Sequence, residues 1–321
     1  MKIAIIIPAY NEEATISHTV RDMYSARSDA EIFVVNNNST DLTAKRALET
    51  FRELGCKGSV LHEEMKGKAN AIRTAFRKID ADIYVMIDAD TTYSGKDLEK
   101  LIEPILQEKA DIVVGDRFFA GEYRKQNSRA FHEFGNVLVN KFINFLFKTN
   151  LSDVMSGYRV FNKRFVLFYP IMCSGFELET EMTLHALDNK FKIKEIPVSY
   201  KERPSGSVSK LNTFRDGVRV IKTVINIFRD YRPFIFYGII SIVLLFFSII
   251  FMYVVVSEYI AYRYITQVPL AVVSLAIIIL SGISMTAGTI LDTLVRYQKS
   301  NFQLGLNSFT HESDRLEMGH E

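Results

Sequence analysis

Asp88 and Asp90 flank a single small residue, Ala89, directly after the apolar run Tyr84-Val85-Met86-Ile87. Carboxylates at i and i+2 that leave a buried strand can converge on one hard cation, Mg2+ or Mn2+, which would in turn bridge a diphosphate. The same Asp-x-Asp turn can instead cap a helix; the strand before it and Thr91-Thr92-Tyr93 after it favour the metal reading. Other polar clusters also follow apolar runs. Pro8-Ala9-Tyr10-Asn11-Glu12-Glu13 follows residues 3–7, Asn36-Asn37-Asn38-Ser39-Thr40-Asp41 follows 32–35, and Gly115-Asp116-Arg117 follows 112–114. Other chemistries find little support. The six histidines show no HExxH or other zinc spacing, and Ser156 and Cys173 lack a recognisable nucleophile setting. Glu177 and Glu181 stand four apart on an expected helix, so that one faces the site or both serve a structural ion pair.

The elements that position these clusters follow from the apolar runs themselves. Continuous β-branched runs separated by helix-length polar segments predict an α/β fold with a mostly parallel sheet covered by helices on both faces. In such a sheet, ligands bind beyond the carboxyl ends of the strands, where the polar clusters stand. There is no GxGxxG or Walker A pattern, which argues against a Rossmann dehydrogenase or a P-loop NTPase. Cys56 and Cys173 are lone and far apart, as suits a reducing compartment. The net charge of +2 conceals two basic stretches. Residues 117–148 hold six basic and two acidic side chains, and residues 203–232 hold seven and two. On a membrane-tethered chain these predict contact with anionic headgroups or phosphates, with solvated helix faces as the alternative, and no nucleic-acid partner is expected.

The tether is read from residues 234–256 and 268–291, which carry no charge and exceed the roughly 20 residues that cross a bilayer as a helix. Arg229 and Arg232 precede the first run, Arg296 and Lys299 follow the second, and the connecting loop holds only Arg263 and Glu258. The positive-inside bias predicts a two-span membrane protein with both termini cytoplasmic, and the short apolar start, broken by Pro8, predicts no secretory leader. Leu211, Phe214, Val218, Ile221, Ile225 and Phe228 recur at helical steps, with Arg215, Arg219, Lys222 and Arg229 largely off that face. This predicts an amphipathic interfacial helix before the first span, with a core helix as the alternative. Ser281, Gly282, Ser284, Ala287 and Gly288 give the second span a small-residue face for packing within one protomer or in a homo-oligomer.

Taken together, Pro8-Ala9-Tyr10-Asn11-Glu12, Asn36 to Asp41, Lys66-Gly67-Lys68-Ala69-Asn70-Ala71 and Asp88-Ala89-Asp90 resemble a family 2 glycosyltransferase of the GT-A fold. Later segments resemble the polyprenyl-phosphate glycosyltransferases, the group of dolichyl-phosphate mannose synthase and bactoprenol glucosyltransferase. They are Ser152-Asp153-Val154-Met155-Ser156-Gly157-Tyr158-Arg159, Gly175-Phe176-Glu177-Leu178-Glu179-Thr180-Glu181, Glu202-Arg203-Pro204-Ser205-Gly206-Ser207, Ser209-Lys210-Leu211 and Phe214-Arg215-Asp216-Gly217. The resemblance implies a cytoplasmic catalytic domain over residues 1–207, a juxtamembrane helix over 208–232, two spans within 233–292 and a polar tail over 293–321. It assigns Pro8, Tyr10, Glu12, Asn36, Asn37, Lys68, Asp88 and Ala89 to the nucleotide-sugar, and Asp88 and Asp90 to a divalent cation. Arg117 and Arg129 are assigned to the acceptor phosphate, and Arg203 and Lys210 to the donor diphosphate or acceptor phosphate. Two positions depart from the pattern: Asn36-Asn37 replaces the usual Asp-Asp, and Thr92 stands where mannose synthases often place a Gln. Asp41 is left to cap the next helix.

The implied reaction transfers a hexose-type sugar from a nucleotide-sugar, UDP-sugar favoured over GDP-mannose, to undecaprenyl or dolichyl phosphate at the cytoplasmic leaflet. By resemblance Asp153 is the candidate base. A phosphate monoester is already mostly dianionic at neutral pH, so Asp153 is expected to orient the acceptor or a cationic side chain. Arg203 and Lys210 are expected to stabilise the departing nucleoside diphosphate. Processive polysaccharide synthases share a Gln-x-x-Arg-Trp signature, which a chain without Trp cannot contain. The remaining competitor is a membrane-anchored protein that binds sugar nucleotide or lipid phosphate without turnover.

Overall fold

The computed structural model describes residues 1–118, 130–173, 177–201 and 213–318, with side chains described except at 130–136, 213–221 and 310–318. Met1–Gly217 and Val218–Glu321 form two compact units.

In the first unit, β1 (Ile3–Ala9) reads IAIIIPA, and every residue but Pro8 is buried. Burial on both sides is what a central parallel strand requires. Ile3, Ile5 and Ile7 join a core with Val20 and Met23 of α1 (Ile16–Ala26), Phe51 of α2 (Thr43–Leu54), and Leu101 and Ile102 of α4 (Leu98–Leu106). The opposite sheet face is covered by α3 (Lys68–Lys78), whose Phe76 meets Tyr84 and Phe161 edge-on, each with centroids 5.9 Å away. Helices therefore cover both faces, as the alternating apolar and polar segments predict.

The sheet has seven strands in the order β3-β2-β1-β4-β6-β5-β7. Here β2 is Glu31–Asn36, β3 Gly58–His62, β4 Ile83–Met86, β5 Ile112–Asp116, β6 Arg159–Asn162 and β7 Ile193–Pro197. Ile5 pairs with Ile32 on one side and Val85 on the other, both parallel. The exception is β6, which runs antiparallel between β4 and β5, with Val160 opposite both Val85 and Val113. The remaining helices of this unit are α5 (Ala130–Phe147), α6 (Lys163–Phe168) and α7 (Leu178–Asp188).

In the second unit, α8 (Thr213–Tyr231) leads to α9 (Pro233–Tyr262) and α10 (Val268–Met318). Both α9 and the Val268–Phe309 stretch of α10 are long and apolar enough to cross a membrane. Arg263 in the left-handed region, at φ 55°, ends α9, and Glu258 accepts the Thr266 N–H at 3.3 Å to close the turn. Serines fasten the pair. Ser241 and Ser281 hydroxyls lie 2.9 Å apart, Ser248 donates to the Ser274 carbonyl at 2.8 Å, and Ser284 to the Tyr237 carbonyl at 3.0 Å. A Cβ on Gly288 would sit 2.9 Å from the Tyr237 Cβ, whereas one on Gly282 would meet nothing. The small-residue stripe thus divides: Ser281, Ser284 and Gly288 serve contact within this hairpin, and Gly282 does not. The polar tail expected after residue 292 continues α10 as helix to Met318.

Candidate active site

The carboxyl ends of the parallel strands β1, β2, β4 and β5 share one sheet edge. Because β6 runs the other way, its first residue reaches that same edge, with Arg159 opposite Met86 and Val114. The loop before β6 therefore joins the loops after the parallel strands, and residues 152–157 stand at one edge with Asp88 and Arg117.

On the side of β1 and β2, the amides of 36–38 hold the loop over 62–67. Asn37 donates from Nδ2 to the Met65 carbonyl at 2.7 Å and accepts the Gly67 N–H on Oδ1 at 2.6 Å. Asn38 donates to the Glu64 carbonyl at 3.0 Å. Asn36 Nδ2 lies 3.3 Å from His62 Nδ1, and its Oδ1 accepts the Ser39 N–H at 3.3 Å. A carboxylate at position 37 has no donor for the Met65 carbonyl, which gives the Asn at this position a structural reason. Gly67, at φ 131°, makes the turn into α3 that an L side chain rarely permits.

Tyr10 receives the Lys66 ammonium, 3.1 Å from its hydroxyl and 5.1 Å from its ring centre. The Glu12 carboxylate accepts from the Thr15 hydroxyl at 2.9 Å, and the Glu12 N–H donates to the Thr43 hydroxyl at the same distance. Asp41 accepts the N–H groups of Thr43 at 3.0 Å and Glu13 at 3.2 Å; it stands one residue before the N-cap of α2, which is Leu42, and so joins the helix start to the loop after β1 rather than serving as the N-cap residue itself.

Asp88-Ala89-Asp90 leads into no helix cap: the next helical turn starts at Gly95 and is capped by Ser94. Asp90 is 5 % exposed and accepts the Thr92 hydroxyl at 2.6 Å, so Thr92 reaches the site through Asp90. Thr91 takes φ 61° in this turn, and the Ala89 carbonyl accepts from Thr19 at 3.0 Å. Asp88 is paired with the Lys68 ammonium, which also binds Glu179 of α7 at 2.5 Å. Burial acts to lower the lysine's pKa, but Asp88 and Glu179 outweigh it and hold the group above the usual lysine range. Gly157 faces the Asp88 carboxylate, and a Cβ there would lie 2.8 Å from its Cγ. Two aspartates on one turn, one in a recess kept open by a glycine, fit a hard divalent cation as a partial ligand set. Among the described residues no third His, Cys, Asp or Glu completes it.

Arg117 and Asp153 form a bidentate pair, Nε to Oδ2 at 2.6 Å and an Nη to Oδ1 at 2.9 Å. Asp153 is 1 % exposed, and the guanidinium also lies 5.5 Å from the Tyr200 ring centre. Glu195 of β7 supports the pair by accepting the Ser152 N–H at 2.7 Å and the Asp153 N–H at 2.8 Å. Burial raises its pKa while those two donors oppose the rise. Arg159, fully buried, donates to the carbonyls of Ser156 at 2.8 Å and Val154 at 2.7 Å and to the Thr183 hydroxyl at 3.0 Å. Tyr93 closes the loop by accepting the Gly157 N–H at 3.0 Å.

At this edge stand Pro8, Tyr10, Glu12, Asn36, Asn37, Lys68, Asp88, Ala89, Asp90, Arg117 and Asp153. Arg129, Arg203 and Lys210 lie outside the described residues. Neither Glu177, just before α7, nor Glu181 on it binds the lysine that holds Asp88; Glu179 does. Glu181 instead accepts the N–H groups of Met172 at 2.8 Å and Cys173 at 2.7 Å. Burial pushes the Cys173 thiol above its usual range, keeping it protonated. Glu179, Arg159 and Glu195 were not singled out from sequence as site residues. For Arg159 and Glu179 the signal is a charge inside an otherwise buried strand and helix; Glu195 stands in a strand with no buried residue and carries no such signal.

Residues 4–167 match the model of glycosyl transferase family 2. Glycosyltransferase AglJ of Haloferax volcanii is 30% identical over 237 residues, covering 74% of this chain and 75% of that protein. The UDP-N-acetylglucosamine–dolichyl-phosphate N-acetylglucosaminyltransferase of Methanococcus voltae is 31% identical over 214 residues, covering 61% and 84%. In fold, the chain is similar to glucosyl-3-phosphoglycerate synthase of Mycobacterium tuberculosis crystallised with Mn2+ and UDP-glucose. The TM-score is 0.54 at 18% identity, over 71% of this chain and 78% of the other. On its sequence motifs, its GT-A sheet and these relatives, the chain belongs to glycosyl transferase family 2.

Proposed function

We propose that this glycosyltransferase moves a hexose-type sugar from a nucleoside diphosphate, UDP favoured, to the phosphate of a polyprenyl lipid by an inverting single displacement. The observation that carries the reading is the Arg117–Asp153 pair at the same sheet edge as Asp88 and Asp90. A carboxylate occupied by a bidentate guanidinium suits the positioning of a cation for an anionic acceptor better than proton abstraction. The acceptor explains why no base is needed. A phosphate monoester has a second pKa of about 6 and attacks the anomeric carbon as the dianion, while the nucleoside diphosphate leaves with the electrons of the bond that breaks.

In this reading Asp153 fixes Arg117, which binds the acceptor phosphate together with Arg129. Tyr10, Glu12, Asn36, Asn37 and Lys68 border the nucleotide-sugar, with Asn37 acting through the loop it fastens. Arg203 and Lys210 neutralise the diphosphate. A divalent cation on Asp88 and Asp90 would add charge stabilisation at the leaving group when bound. The Methanococcus relative, named for a dolichyl-phosphate acceptor and a UDP-sugar donor, supports the substrate pair, as do the two membrane-length helices. We place both termini and the catalytic unit on the cytoplasmic side.

The test is nucleoside diphosphate release by the detergent-solubilised full chain, with Mg2+ or Mn2+, across a panel of UDP- and GDP-sugars. Addition of polyprenyl phosphate is expected to accelerate release for one sugar nucleotide. A panel in which lipid phosphate stimulates none overturns the acceptor assignment.

A further inference from the structure

We propose that Lys68 and a divalent cation occupy the Asp88 carboxylate in alternation, with Glu179 as the seat to which Lys68 withdraws when the cation enters. The inference rests on the cation reading above and adds a device that controls it. One ammonium joins Asp88 and Glu179, with the Lys68, Asp88 and Glu179 side chains 14%, 28% and 7% exposed. A lysine that paired with Asp88 alone would have to leave its counter-ion to free that ligand, and an unpaired charge this enclosed is costly. Glu179 removes that obstacle. The ammonium carries three donors on a flexible four-carbon stem, so a small pivot releases Asp88 while the bond to Glu179 persists.

The charges favour the same exchange. Two carboxylates around one ammonium leave an excess negative charge that attracts a cation. A dication on Asp88 and Asp90 then repels the ammonium toward Glu179 or toward the diphosphate arriving with the donor. Gly157 supplies the space on the carboxylate: a Cβ there would be 2.8 Å from Asp88 Cγ. In the absence of nucleotide Lys68 thus competes with the metal, and the diphosphate shifts the competition by offering the lysine a third anion. Glu179 is a positioning residue, acting on the metal through Lys68.

Mn2+ binding to the full-length protein in detergent, read from the electron paramagnetic resonance signal of free Mn2+, tests this without turnover. Without nucleotide, Lys68→Met is expected to bind Mn2+ about tenfold more tightly than wild type, within the usual range of coupling between two ligands. Glu179→Gln is expected to bind several-fold more weakly, because Lys68 then has only Asp88. Lys68→Arg should restore weak binding, and UDP or GDP should narrow the gap between wild type and Lys68→Met. A merely structural role for the pair would not give opposite signs. Unchanged or weaker binding in Lys68→Met, or tighter binding in Glu179→Gln, overturns the exchange; if Lys68→Met does not fold, the sign in Glu179→Gln decides. Wild type that binds Mn2+ with UDP or GDP, while Lys68→Met matches wild type in the absence of nucleotide, sinks the exchange alone. Wild type that binds none even with UDP or GDP sinks the cation reading and the exchange together.

Discussion

Asp153 separates two mechanisms by what its loss would do. A general base contributes roughly 10²–10⁴ in rate and imposes its own limb on the pH–rate profile. A carboxylate that holds Arg117 contributes through placement, and an amide oxygen can still accept one of the two guanidinium bonds. Asp153→Asn is therefore expected to retain turnover within about 100-fold of wild type, with a higher KM for lipid phosphate and an unchanged profile shape. Loss of the acidic limb in steady-state assays would return Asp153 to the role of base. Arg159, at the start of β6, holds the same loop from beneath and acts on stability. Its three hydrogen bonds are all buried, and Arg159→Met would leave two carbonyls and a hydroxyl without their donor. The cost is expected to be about 3–5 kcal/mol, or on the order of 10 °C in Tm for a domain of this size. A calorimetric scan that moves by less than a few degrees would contradict it.

At the scale of elements, β1, β2, β4 and β5 are legible in the sequence because buried parallel strands are continuous runs of Ile and Val. The other three strands carry weaker patterns. The buried charge in Arg159-Val160-Phe161-Asn162 reads as polar until Val154 and Ser156 are known to receive it, and Lys194 and Glu195 interrupt β7. The Asp-x-Asp turn was legible from its place after β4, while its partner Glu179 was hidden among glutamates at 177, 179 and 181, whose helical phase depends on where α7 begins. That helix also carries His185 into a ring of Phe165, Tyr169 and Phe191, with centroids 5.2–5.9 Å away. Burial lowers the histidine's pKa to about 4, against an upward pull from Glu181. Between about 6.5 and about 4 the unfolded chain binds this proton and the folded chain does not. Stability from this site is thus complete above that window and declines as pH falls through it. Melting curves from pH 7 to pH 4 should fall less steeply for His185→Phe than for wild type, and parallel slopes would refute the assignment.

For the whole molecule, near-neutral composition was a poor guide, since basic residues gather in two stretches and apolar ones in two helices. The helices were legible from length and absence of charge alone; the partition of the small-residue stripe was not, because it depends on which faces of α9 and α10 meet. Packing at Gly288 leaves no room beside Tyr237, so Gly288→Leu is expected to part the hairpin. The expected readouts are a lower Tm of the detergent-solubilised protein and faster proteolysis in the 263–267 turn. Gly282→Leu, which faces open space, should change neither in the monomer; equal effects from both would show that the stripe has another partner. The reversed strand β6 has a consequence for evolution. Residues 152–157 reach the crevice from the opposite chain direction and lie more than sixty residues after Asp88 in sequence, so this part of the site is one contiguous segment, separate in sequence from the loops on β1, β2 and β4 and meeting them where Gly157 faces Asp88. On the proposed acceptor role of Arg117 and Asp153, exchange of that one loop between relatives, with Gly157 and the buried Arg159 kept, is expected to change the acceptor while leaving the donor unchanged.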